Sequence, residues 1–138
     1  MQLSGLHVCF EVEDFGRAMA FWGPLCEVAG FKPAWGDGKV YAGFRNGSIV
    51  VSIGAMQPRR VTRAAPTGQE FVVAEHVGFH ATRREDVDAV AAHMAAAGFQ
   101  PLFPAQEYPE FGPGFYAVTF CDPDNNVIEF AWRPPTPG

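Results

Sequence analysis

The chain has no Cys-x-x-Cys pair. Its three cysteines, Cys9, Cys26 and Cys121, are odd in number and far apart, which excludes a structural zinc site of the paired-cysteine kind. Free thiols of this sort fit a reducing compartment, and a cytoplasmic location is the expectation. No segment forms a lysine- or arginine-rich stripe. With a net charge of −5, that absence argues against nucleic acid and anionic membrane as partners. No apolar run approaches the roughly 20 residues that a membrane-spanning helix needs. The opening Met1-Gln2-Leu3-Ser4-Gly5 has neither a charged nor an apolar stretch, so no signal peptide is expected there. Charged residues are only 18% and hydrophobic residues 48% of 138, a composition that buries a core in one domain.

What the chain does have is an internal repeat. His7-Val8-Cys9-Phe10 returns as His76-Val77-Gly78-Phe79, and Ala29-Gly30-Phe31-Lys32-Pro33 returns as Ala97-Gly98-Phe99-Gln100-Pro101. From the leading His to the Pro is 26 residues in one copy and 25 in the other. Tyr41-Ala42 matches Tyr116-Ala117, and Val50-Val51-Ser52-Ile53 matches Val127-Ile128-Glu129-Phe130. Four matches in one order mark a duplication.

Each copy reads as an alternating strand (about 5–12 and 75–82), a helix (about 14–28 and 83–97) and three strand-like stretches rich in β-branched and aromatic residues. The expected fold is therefore α+β: two tandem βαβββ repeats, about 5–53 and 76–132, forming a curved, cup-like mixed sheet with the helices outside. Residues 54–75, polar and without a period from Pro58 to Gly68, read as a surface linker, and the tail Pro134-Pro135-Thr136-Pro137-Gly138 as loose. The first helix should start near Asp14, bury Phe15, Ala18, Phe21 or Trp22, and Leu25, and be kinked or interrupted at Gly23-Pro24. The second should carry a Thr82/Glu85 capping box, a Gly98 stop, and Val87, Val90, Met94 and Ala97 on one face. Asn46-Gly47 and Asp122-Pro123-Asp124-Asn125-Asn126 read as turns. The latter opens like a calcium loop, but its sixth place lacks glycine and its twelfth is Arg133, so calcium is excluded there.

Alternation puts Val8, Phe10 and Val12 on one face of the first strand and His7, Cys9 and Glu11 on the other. Val77, Phe79 and Ala81 oppose His76, Gly78 and His80 in the matching strand. In the last strand Ile128, Phe130 and Trp132 oppose Val127, Glu129 and Ala131. With the apolar faces under the helices, His7, His76 and Glu129 all belong to the faces that line the hollow of the sheet. Trp35, Phe44, Tyr108 and Tyr116 are the aromatic candidates for its walls.

Nearly the whole chain, about 5–132, resembles the vicinal oxygen chelate superfamily, which includes glyoxalase I, fosfomycin-resistance enzymes, extradiol dioxygenases and bleomycin-binding proteins. The resemblance is carried by the His7 strand with Val12-Glu13-Asp14 and Phe21-Trp22, by His76-Val77-Gly78-Phe79, by Asp86-Val87-Asp88-Ala89-Val90 with Ala97-Gly98-Phe99, and above all by Phe120-Cys121-Asp122-Pro123-Asp124-Asn125-Asn126-Val127-Ile128-Glu129. It implies a metal site drawn from the first and last strands of both repeats. His7 matches the first ligand position, His76 the third and Glu129 the fourth; the second falls on Ser52, a poor ligand.

Two imidazoles and one carboxylate would leave open positions on one divalent ion of Mn, Fe, Ni or Zn, able to act on a substrate with two adjacent oxygens. Glu11 and His80, further along the same strand faces, are the candidate catalytic bases. The implied function is a metal-dependent lyase, isomerase, transferase or dioxygenase acting on a small oxygen-chelating molecule, in a chain that pairs as a homodimer. The alternative is a metal-free protein that sequesters a drug or aromatic metabolite, favoured by Ser52 and the aromatic content.

Overall fold

The computed structural model describes residues 1–55 and 76–135. The first repeat runs β1 (Leu6–Glu11), α1 (Phe15–Val28), β2 (Lys32–Gly36), β3 (Tyr41–Asn46) and β4 (Ile49–Gly54). The second runs β5 (Val77–His80), α2 (Arg84–Ala96), β6 (Phe103–Glu107), a short 3-10 turn at Pro109–Phe111, β7 (Tyr116–Cys121) and β8 (Val127–Trp132). The strands form two four-stranded mixed sheets, ordered β1-β4-β3-β2 and β5-β8-β7-β6. In each, the first strand is parallel to the last and the other pairs are antiparallel. The duplication is thus a true one: Ser52 lies opposite Cys9 and Glu129 opposite Gly78, two residues beyond the leading His in both copies. The expected linker lies outside the described residues from residue 56 on, and so do the last three residues of the tail.

Local sequence explains both helices. Asp14 caps α1, its carboxylate accepting from the Arg17 amide at 2.8 Å. The repeated Ala-Gly-Phe is the helix stop. Gly30 and Gly98 take φ of +75° and +90°, and the amides of Phe31 and Phe99 reach back to the Cys26 and Met94 carbonyls at 2.8 and 2.9 Å. Three expectations are corrected. First, α1 is not interrupted at Pro24 but runs on as one helix, because Ala18, Phe21, Trp22, Leu25 and Cys26, on both sides of the proline, are all buried in one core. Second, α2 is capped by extended Arg83 rather than Thr82; the cap makes no side-chain bond to the helix end, and the Arg83 guanidinium pairs with Asp86 at 2.9 Å. Third, Ala97 is the exposed C-cap, leaving Val87, Val90 and Met94 as the buried stripe.

One hydrophobic core contains both helices and one face of each sheet. Phe31 meets Phe79 across the repeats with ring centroids 5.7 Å apart, and Phe21 meets Phe99 and Phe120 at 5.2 and 6.5 Å. The two repeats touch at two symmetry-related junctions. At one, the β7–β8 turn seats against the start of α1. Buried Asp122 accepts from the Trp22 indole at 2.9 Å and from the amides of Asp124 and Asn126 and the Asn126 side chain at 2.8–2.9 Å. At the other, the end of β5 faces the ends of β3 and β4 across an open crevice of about 430 Å³, lined by Phe31, Asn46, Ile49, His80, Thr82 and Asp86 among others. No helix among the described residues is long and apolar enough to cross a membrane.

Candidate functional site

The faces turned away from the core carry the candidate residues. On the first sheet, register places Cys9, Ser52, Gly43 and Trp35 in one row and His7, Val50, Arg45 and Lys32 in the next. His7 Nε2 and Ser52 Oγ are hydrogen-bonded at 2.8 Å. Trp35 meets the His7 ring edge-on, with centroids 6.1 Å apart and planes at 85°. Its indole lies flat across Gly43, where any Cβ would collide with it. Gly43 is therefore part of the site, and the sequence reading missed it; a glycine inside a strand is its one sequence signal.

On the second sheet, Gly78, Glu129, Thr119 and Phe103 form the matching row, and His80, Ala131, Ala117 and Gln106 the next. His76 Nε2 stands 3.9 Å from Glu129 Oε2. A Cβ at Gly78 would stand in van der Waals contact with that carboxylate, 3.4 Å from Glu129 Oε1. Tyr108 covers a small apolar cluster of Phe115, Ala117 and Ala131 on the same face, its hydroxyl donating to the Pro104 carbonyl at 2.7 Å. Burial pushes the Tyr108 phenol up, and the carboxylates of Glu110 and Glu129 push it further the same way.

Two expected wall residues lie elsewhere. Phe44 shares the register level of Val8 and Val51 and is buried in the main core. Tyr116 also faces the helices: its hydroxyl donates to Asp88 of α2, and the Arg84 guanidinium sits 4.1 Å over its ring. Both face inward because register alternates from partners that the sequence alone leaves unpaired. Trp35 and Tyr108 do lie on the open faces. Glu11 is exposed at the end of β1, on the His7 face. His80, on the Glu129 face, also borders the crevice between the repeats.

Among the described residues no three His, Cys, Asp or Glu side chains converge. The structure brings His7 to Ser52 and His76 to Glu129, and holds these pairs apart on two sheets. As a donor set the three ligands suit a divalent ion. The His76–Glu129 spacing of 3.9 Å is within about 1 Å of that between neighbouring ligands of an ion bonded at roughly 2.0–2.2 Å. Ser52 fits better as the group that orients His7 than as a ligand, since ligating imidazoles are held by a hydrogen bond at the other nitrogen.

Comparison with known proteins agrees with this architecture. A family profile described as the Glyoxalase/Bleomycin resistance protein/Dioxygenase superfamily matches residues 6–130. Among solved structures, the chain is similar to a glyoxalase/bleomycin resistance protein from Albidiferax ferrireducens T118, with 24% identity, TM-score 0.66, and 92% of this chain and 97% of that one covered. It is similar to lactoylglutathione lyase from Agrobacterium tumefaciens, with 21% identity, TM-score 0.63, and 92% and 91% covered. A glyoxalase/dioxygenase from Nostoc punctiforme aligns at 17% identity and TM-score 0.65, with 94% and 90% covered. No curated protein matches at a significant level.

Proposed function

Since the chain belongs to the glyoxalase/bleomycin resistance protein/dioxygenase superfamily, we propose that it is a divalent-metal-dependent enzyme acting on a small molecule with adjacent oxygens, and that its site is completed only in a homodimer. The supporting observation is the division of the ligand set. Each sheet of one chain buries one face in the common core and leaves the other open, with His7 on one open face and the His76–Glu129 pair associated with the other. Large apolar side chains stand exposed on both, Trp35 at 41% and Phe103 at 52%, and pairing with a second chain would cover them. In such a dimer, His7 of one chain meets the partner's other two ligands.

The bound ion would supply Lewis-acid polarisation of the substrate oxygens. Within the chain, Ser52 holds the His7 ring at 2.8 Å, and Trp35 flanks that ring edge-on. Proton transfer falls to Glu11 or His80, which share the open faces with the ligands.

Mixing variants tests both halves of the proposal. His7→Ala and Glu129→Ala should each purify without metal. Mixed after unfolding and refolding together, they should regain roughly a quarter of an equivalent per chain under random pairing. Binding by the wild type without such recovery would place the site within one chain. No metal in the wild type after incubation with Mn, Fe, Ni and Zn would sink the metal reading.

A second reading rests on the same hydrogen bond. If the His7 ring serves only as the partner of Ser52 and neither nitrogen takes a metal, the open faces bind a drug or aromatic metabolite without metal, against Trp35 and Tyr108. Tight ligand binding by metal-free protein would favour it.

A further inference from the structure

The row that holds His7 also holds two cations. Lys32 and Arg45 are direct cross-strand partners on β2 and β3, and Arg45 in turn is level with Val50 and His7. Like charges placed opposite each other on a sheet repel and destabilise it. Here the pair stands in a chain whose net charge is −5. Among the described residues the pair is not neutralised locally. The neighbouring row, Cys9-Ser52-Gly43-Trp35, has no carboxylate, and the nearest on this sheet face, Glu11, is two rows away. The Arg45 guanidinium makes no ion pair among the described residues. Beside it opens a shallow cavity of about 510 Å³ lined by Ser4, His7, Arg45 and Ser48 among others.

We infer that Arg45, assisted by Lys32, is the specificity-determining residue of the open face and binds the anionic end of the substrate, a carboxylate or phosphate group. This rests on the reading of that face as the substrate site. His7 and Arg45 lie two strands apart, about 10 Å at the backbone. A ligand whose oxygens reach the His7 position therefore has its anionic group a few bonds away, within the forked grip of a guanidinium. The substrate class is thus a small acid carrying adjacent oxygens at its other end.

The test uses metal-free full-length protein, so its outcome is independent of metal binding. Amide shifts in proton–nitrogen spectra are followed during titration with inorganic phosphate and, separately, with succinate, at constant ionic strength. Saturable shifts at His7, Arg45 and Ser48 are expected with one or both, and which anion acts names the group. Arg45→Gln should weaken binding by about tenfold or more, Lys32→Gln by less, and Arg45→Lys should recover part of the loss. Both side chains are exposed, so these variants keep the fold. Absence of saturable shifts with either anion, or equal affinity in wild type and Arg45→Gln, would overturn the inference. Metal uptake with failed anion binding would overturn it while leaving the metal reading intact.

Discussion

The two junctions between the repeats occupy equivalent places and differ in one turn. Where β7 meets β8, the residues Asp122 to Asn126 form a turn long enough to drive a carboxylate under the Trp22 indole. Where β3 meets β4, Gly47 and Ser48 alone make the connection, and the equivalent place is an open crevice. At that second junction Asn46 turns back to its own repeat instead, its amide donating to the Ala29 carbonyl at 2.9 Å. Duplication has copied the strands, the helices and their stops, but among the described residues the polar seal between the copies comes from the β7–β8 turn.

The largest test of that contrast is Asp122→Ala. It removes four hydrogen bonds and leaves the buried Trp22 Nε1 without a partner, so a loss of about 3 kcal/mol in urea unfolding is expected. A loss within error of zero would show that the turn does not seal the junction. Asn46→Ala at the open junction should cost only about 0.5 kcal/mol, since its bond is exposed. Equal costs at the two positions would erase the distinction.

The third effect is nil at neutral pH. Cys26 lies between the junctions, packed with Trp22, Phe31, Phe79 and Phe130, and burial pushes its thiol up from 9.0 to about 12. The folded value lies above the unfolded one, so the stability held below pH 9 is lost progressively as pH rises from about 9 towards 12. Cys26→Ala should flatten that decline, read as unfolding midpoints at pH 8 and pH 10.5. Parallel declines in both proteins would mean that the core opens to ionisation elsewhere.

Features fixed by neighbours in the chain were legible in the sequence. The Gly98 stop, the start of α1 near Asp14 and the alternation of β1 each depend on a few adjacent residues, and each stands in the structure. The residues of the open faces were partly legible: His7 and Glu129 follow from alternation along a single strand. Phe44 and Tyr116 were misplaced because their faces depend on pairing, Phe44 with Val51 and Tyr116 with Trp132. Thr82 matched a cap pattern, yet the chain turns into α2 one residue later. Whether the ligand halves meet was beyond reach, because that depends on how Phe31, Phe79 and their neighbours set one repeat against the other.

The seat of Trp35 on Gly43 makes the open face optically distinct. Of the chain's three tryptophans, Trp22 is almost wholly buried at 1% exposure, Trp132 is half-buried, and Trp35 is 41% exposed. The indole that water reaches most freely is therefore the one beside His7. Its emission should be the most red-shifted and the most readily quenched by acrylamide. Anything that fills the face, whether an acid, an aromatic ligand or a second chain, should shield that one fluorophore and leave Trp22 dark to the change.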